Sequence, residues 1–111
     1  MQNNKPGQKQ AKVLVPGAWE KAIKQYLIAR KKMHVLSYQN ISNRLVSYHV
    51  NQSPQNLSAK FNQGKLSASL FVSSLIAMDE KEIDLVELQL IFEEIKSKRG
   101  PSDLSRIKRT V

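Results

Sequence analysis

Four short polar side chains on one prospective helix offer the most legible chemistry: Gln55, Asn56, Ser58 and Asn62, with Lys60 among them. A carboxamide both donates and accepts hydrogen bonds, which is what the edge of a base pair presents to a reader in the major groove. An uncharged, amide-rich helix face with one cation is therefore a candidate base-reading surface. It is also the composition of an ordinary solvated helix face, and composition by itself favours that plainer reading. Catalytic combinations are scarce. His34 and His49 are the two histidines, with no acid nearby in sequence, so neither a metal pair nor a histidine-based triad is supported. The carboxylate pairs Asp79/Glu80 and Glu93/Glu94 sit beside lysines and read as solvated surface charge. There is no cysteine to serve as thiolate ligand or nucleophile, and no Gly-rich phosphate loop. The expectation is a chain that is not an enzyme and carries no metal or cofactor.

The 111 residues have a formal net charge of +9, and the distribution says more than the total. Residues 1–18 carry three lysines and no acid; residues 19–66 carry eight basic side chains against Glu20. Residues 67–95 reverse the sign, with seven acids against one lysine, and residues 96–111 return to six basic side chains against one acid. A positive excess of this kind suits a polyanion, though generic solubility charge is the alternative. The candidate phosphate contacts are Arg30, Lys31, Lys32, Gln39, Arg44, Lys60 and Lys65. The Arg30-Lys31-Lys32 run has a second explanation, because cations in a last helical turn complement the helix dipole. One cluster can do both.

These side chains need elements to hold them, and the period between the tails is helical. Trp19, Ala22, Ile23, Tyr26 and Leu27 recur at three- and four-residue steps, predicting a helix over about 18–33. Ser37 caps a second helix, with Leu36 and Ile41 as a hydrophobic staple and Leu45 continuing the buried stripe. Ser53 and Pro54 open a third helix, Leu57 and Phe61 form its buried pair, and Gly64 closes it. Ser67 caps a fourth, lined inward by Leu70, Phe71, Ser74, Leu75 and Met78. Asp84 caps a fifth, with Glu87 in the capping-box position. In that last helix Leu85, Leu88, Ile91, Phe92 and Ile95 follow the helical period, and Val86 and Leu90 widen the stripe. Core packing is the commoner reason for such a stripe, and a dimer contact through Leu85, Leu88, Ile91, Phe92 and Ile95 is the other.

The expected organisation is a flexible basic tail over 1–15, one helical domain over 16–99, and a basic tail over 100–111. No apolar run approaches the ~18 residues of a membrane span. The polar amino end has no apolar signal-peptide core. A soluble cytoplasmic protein is the simplest expectation.

The run Leu36-Ser37-Tyr38-Gln39-Asn40-Ile41-Ser42-Asn43-Arg44-Leu45 resembles the second helix of the phage-repressor (Cro/C1, XRE-like) family, whose pattern is Leu-Ser-x-x-x-Leu-Ala-x-x-Leu. Ser53 and Leu57 are similar to the start of that family's recognition helix. A closer resemblance, over roughly Trp19 to Met78, is to an uncharacterised bacterial domain family of repressor-like type. It rests on an aromatic-led basic first helix followed by Asn56, Leu57, Lys60, Phe61, Gly64, Leu66, Ser67 and Ala68. The chain departs from phage repressors in joining helices two and three through Val46 to Gln52 without glycine. It also places Pro54 where a base-reading side chain often stands. Direct base reading is thereby a weaker expectation than phosphate contact.

The resulting expectation is an all-α, compact bundle of about five short helices with a helix-turn-helix, binding duplex DNA as a homodimer and acting as a small bacterial, phage or plasmid regulator. Gln55, Asn56, Ser58 and Asn62 would meet base edges. The alternatives are a protein–protein interaction module, adaptor or antitoxin-like, using the last amphipathic helix, and an RNA binder.

Overall fold

The computed structural model describes residues 15–97, so the two expected basic tails lie almost wholly outside the described residues. Five α-helices follow in order: α1 (Ala18–Met33), α2 (Tyr38–Leu45), α3 (Pro54–Gln63), α4 (Ala68–Ala77) and α5 (Leu85–Ser97), with a 3-10 turn at Val46–Tyr48 after α2. There is no strand among the described residues, and no helix there is long and apolar enough to cross a membrane. The all-α architecture expected from the helical period is what the chain adopts.

Local chemistry sets most helix starts. The hydroxyls of Ser37, Ser53 and Ser67 accept from the backbone N–H groups of Asn40, Asn56 and Leu70 at 3.0, 3.0 and 3.1 Å. Each satisfies a donor that a helix start would otherwise leave unpaired. At α2 the device is reciprocal, because the Asn40 side chain accepts from the Ser37 N–H at 2.9 Å. Pro54 occupies the first turn of α3, where its missing N–H is harmless. At α5 the expected capping box is only half made. Asp84 Oδ1 accepts from the Glu87 N–H at 2.9 Å, but the Glu87 carboxylate turns away to Arg30. The Asp84 N–H is taken instead by the Tyr26 hydroxyl at 2.9 Å.

Helix ends share a motif that the sequence does not advertise. At four of them a residue with positive φ reverses the chain: Val35, His49, Gly64 and Asp79. Each donates its N–H three residues back, to Lys32, Val46, Phe61 and Ile76, while the next N–H reaches Lys31, Leu45, Lys60 and Leu75. This paired pattern satisfies the orphan carbonyls of a helix end. Only Gly64 was legible in advance, because the other three side chains disfavour the left-handed region.

The core gathers Ala22, Tyr26, Leu27, Ile41, Leu45, Leu57, Phe61, Leu70, Leu75 and Met78, with Leu88 from the last helix. Helix α1 packs along α5 and against α3; α2 packs against α3 and α4. Trp19 and Phe92 stack face to face at 4.0 Å, fixing α5 on the first turn of α1. That contact corrects the proposed dimer stripe. Leu88 is buried, and Ile91, Phe92 and Ile95 pack against the core, so only Leu85 of the five stays free. The side of α5 that faces outward carries Leu85, Val86 and Leu90, each 64–69% exposed.

Candidate nucleic-acid interface

Helix α3 is held by its two inward residues. Leu57 and Phe61 are fully buried, and Tyr38 from the start of α2 sets its ring edge against Phe61 at 5.4 Å. The opposite side of α3 presents Gln55, Asn56 and Asn62 to solvent, with Ala59 and Gln63 between them. Two of the four candidate base contacts have tasks within the protein. Ser58 is half-buried, and its carbonyl accepts from the Asn62 carboxamide at 2.8 Å. Both side chains also hydrogen-bond to the Tyr38 phenol, whose pKa burial pushes up against the opposing pull of those bonds. Gln55 and Asn56 are the amides whose side chains have no such role among the described residues.

The candidate phosphate contacts separate sharply. Arg30 is nearly buried: Nη1 lies 3.5 Å from Glu80, Nη2 pairs with Glu87, and the guanidinium stacks over Tyr26 at 4.9 Å. Burial works against its charge, but the two carboxylates outweigh that and hold its pKa above the ordinary arginine value. Arg44 donates to the Ala77 carbonyl at 2.9 Å and to Asp79 at 3.2 Å, so it closes the end of α4. Both arginines are withdrawn from the expected phosphate set, for a reason invisible locally: their partners lie 33 to 57 residues away. Lys31 rests over the Tyr38 ring at 4.5 Å. Gln39 is exposed and donates to Asn43 at 3.0 Å.

The same contacts correct the reading of Glu80 as solvated charge, whereas Asp79 stays exposed as expected. Only 12% of the Glu80 side chain is exposed, and its second oxygen lies 2.7 Å from His34 Nε2. His34, Arg30, Glu80 and Glu87 thus form one cluster tying the end of α1 to the start of α5. Among the described residues no group of three or more histidine, cysteine or acidic side chains could hold a metal ion.

Lysines remain. Lys32, Lys60 and Lys65 have no ion-pair partner among the described residues, nor do Lys21 and Lys24 of α1. Lys21, Lys24 and Lys65 line one groove of about 520 Å³ between α1 and the end of α3, together with Glu20, Asn62 and Gln63. Lys21 and Lys24 stand one turn apart on α1. Their meeting with Lys65 depends on the packing of α1 against α3. The close approach is possible because Gly64 has no Cβ: one built there would lie 1.9 Å from the Glu20 carbonyl oxygen.

No curated protein and no solved structure matches the chain. A family model does, over residues 19–83, beginning at the same tryptophan as the resemblance read from the sequence and running past Met78. That span covers helices α1 to α4 and stops short of α5, and it carries no link to the Cro/C1 or XRE-like repressors. It includes every candidate base and phosphate contact, and over it the chain belongs to the family described as Domain of unknown function (DUF6471).

Proposed function

We propose that the chain binds duplex DNA through α3, in the manner of a phage-repressor-like helix-turn-helix. The observation that carries this reading is the juxtaposition on α3 of exposed carboxamides, Gln55 and Asn56, with Lys60, a cation that the fold leaves unpaired, and with Lys65, also unpaired, just beyond the helix end. Amides supply base-edge donors and acceptors; lysines supply sequence-independent attraction to phosphates. Lys31 of α1 rests over the Tyr38 ring, which itself packs on Phe61 of α3, and Lys32 follows it in the last turn of α1. Ser58, held by Tyr38, supports the position of α3 and does not itself reach for bases. Under this reading the protein is a small cytoplasmic, nucleoid-associated transcription or maintenance regulator.

Selection from a random duplex pool, followed by salt-dependent gel shifts on duplex DNA, single strands and RNA, tests it. Lys60→Ala weakens binding to every duplex and flattens its salt dependence, whereas Asn56→Ala relaxes preference at one base position. Equal losses from both variants on every duplex would refute this division of roles. Preferential retention of RNA would move the partner class to the other polymer.

A second reading has its own observation. Leu85, Val86 and Leu90 are exposed together on α5, which suits a protein surface covered by a partner or a second copy. Failure to bind any nucleic acid at low salt, with a mass above the monomer in solution, selects this reading instead.

A further inference from the structure

We propose that the groove between α1 and the end of α3 is a binding site for a phosphate group, held by Lys21, Lys24 and Lys65 with the carboxamide of Gln63 as a neutral donor. Identification of that group as a DNA phosphodiester rests on the function proposed above; the site itself does not.

The first argument is that packing gathers three cations without ion pairs among the described residues, whereas Lys32 and Lys60, also without one, do not line this groove. Arg30, Arg44 and Lys96 each have a carboxylate within 4 Å, and Lys31 has an aromatic face. The three groove lysines have no ion-pair partner among the described residues, yet packing brings them to one place. Lys21 and Lys24 are one turn apart on α1, and Lys65 follows the glycine that lets α3 abut the α1 backbone. Like charges held within a Debye length of roughly 8–10 Å repel one another, and a bound anion relieves that repulsion.

The second argument concerns which anion. Glu20 is the carboxylate of the groove, so three ammonium groups and one acid leave an excess of two positive charges. That excess attracts a singly charged phosphodiester as well as a doubly charged monoester, so the choice between them rests on the space and on the neighbouring face. The space of about 520 Å³ is several times that of a phosphate group, which leaves room for the sugars on either side. Asn62 and Gln63 belong both to the groove and to the exposed side of α3. A strand whose phosphate sits here would therefore run along the face carrying Gln55 and Asn56. Gly17, which caps the amino end of α1 without a side-chain bond, also borders the groove, and the positive end of the α1 dipole adds to the attraction.

The test uses the full chain labelled with ¹⁵N and titrated separately with inorganic phosphate and with a random-sequence duplex. It is paired with gel shifts of the Lys21→Ala/Lys24→Ala double variant. The duplex is expected to move the amides of residues 17–24 and 62–65. The double variant is expected to flatten the slope of log affinity against log salt by about 2 while keeping base preference, and Lys21→Arg/Lys24→Arg to restore the slope. Inorganic phosphate moving the same amides while the duplex leaves them still supports the site and assigns it to a free phosphate-bearing ligand. If neither probe moves those amides and the double variant binds with an unchanged slope, the site is overturned. A wild-type chain that binds no duplex at any salt defeats the DNA reading alone, and the phosphate titration still decides the groove.

Discussion

The Tyr26 hydroxyl, buried at the centre of α1, accepts a hydrogen bond from the Asp84 backbone N–H at 2.9 Å. Two residues 58 positions apart are joined at the point where α5 begins. In a complete capping box the Glu87 side chain would take that N–H; here Glu87 pairs with Arg30 and Tyr26 takes its place. Tyr26→Phe keeps the ring and removes the acceptor. It is expected to lower stability by about 1–2 kcal/mol, read from the urea midpoint at constant slope, with faster hydrogen exchange at the Asp84 amide. Unchanged exchange there would show that the hydroxyl does not hold the start of α5.

Glu80 ties the two basic groups at the end of α1. It faces Arg30 at 3.5 Å and His34 at 2.7 Å, and the Arg30 and Glu80 side chains are only 13% and 12% exposed. Salt screens such a pair weakly, and removal of one partner leaves a poorly solvated charge. Glu80→Gln is expected to destabilise the fold by about 2–3 kcal/mol, and a double-mutant cycle with Arg30→Met should return a coupling well above that of a surface pair. A loss below about 0.5 kcal/mol would class the contact with exposed ion pairs.

Val35 ends α1 in the left-handed region, at φ 54°, with its side chain 86% exposed. A β-branched residue is strained there and gains nothing from burial in return. Val35→Gly relieves that strain and gives back part of the gain through greater freedom of the unfolded chain. The expected outcome is a rise in stability of about 0.5–1 kcal/mol, seen as a higher thermal midpoint. A lower midpoint would mean that Val35 makes a contact the isolated chain does not account for.

Gly64 shows the opposite balance. Its φ is +66°, and a Cβ there would meet the Glu20 backbone, which cannot rotate aside as a side chain would. Gly64→Ala is expected to cost about 2–5 kcal/mol and to disturb the amides of Glu20 and Lys21 in an ¹⁵N spectrum. Wild-type stability in that variant would show that α1 and α3 are not held at this separation.

Helix placement was determined by the sequence itself. Ser37, Ser53 and Ser67 announce three starts because a cap acts within three residues of its own chain, and the inward pairs Ile41/Leu45 and Leu57/Phe61 follow from the helical period. The exposed amides of Gln55 and Asn56 were legible for the same reason: the side of α3 opposite Leu57 and Phe61 must face outward. Tertiary structure alone decided which charges remain available. Arg30 and Arg44 read locally like Lys60 and Lys65, but electrostatic pairing depends on distance in space, and packing brought Glu80, Glu87 and Asp79 to the arginines while leaving the lysines bare. It also decided that α5 turns Leu88 and Phe92 inward and Val86 and Leu90 outward, because an apolar stripe wider than one contact can be buried from either edge. The left-handed ends at Val35, His49 and Asp79 belong to the same class. Contacts between neighbouring elements, made far apart along the chain, support backbone conformations that those residues disfavour on their own.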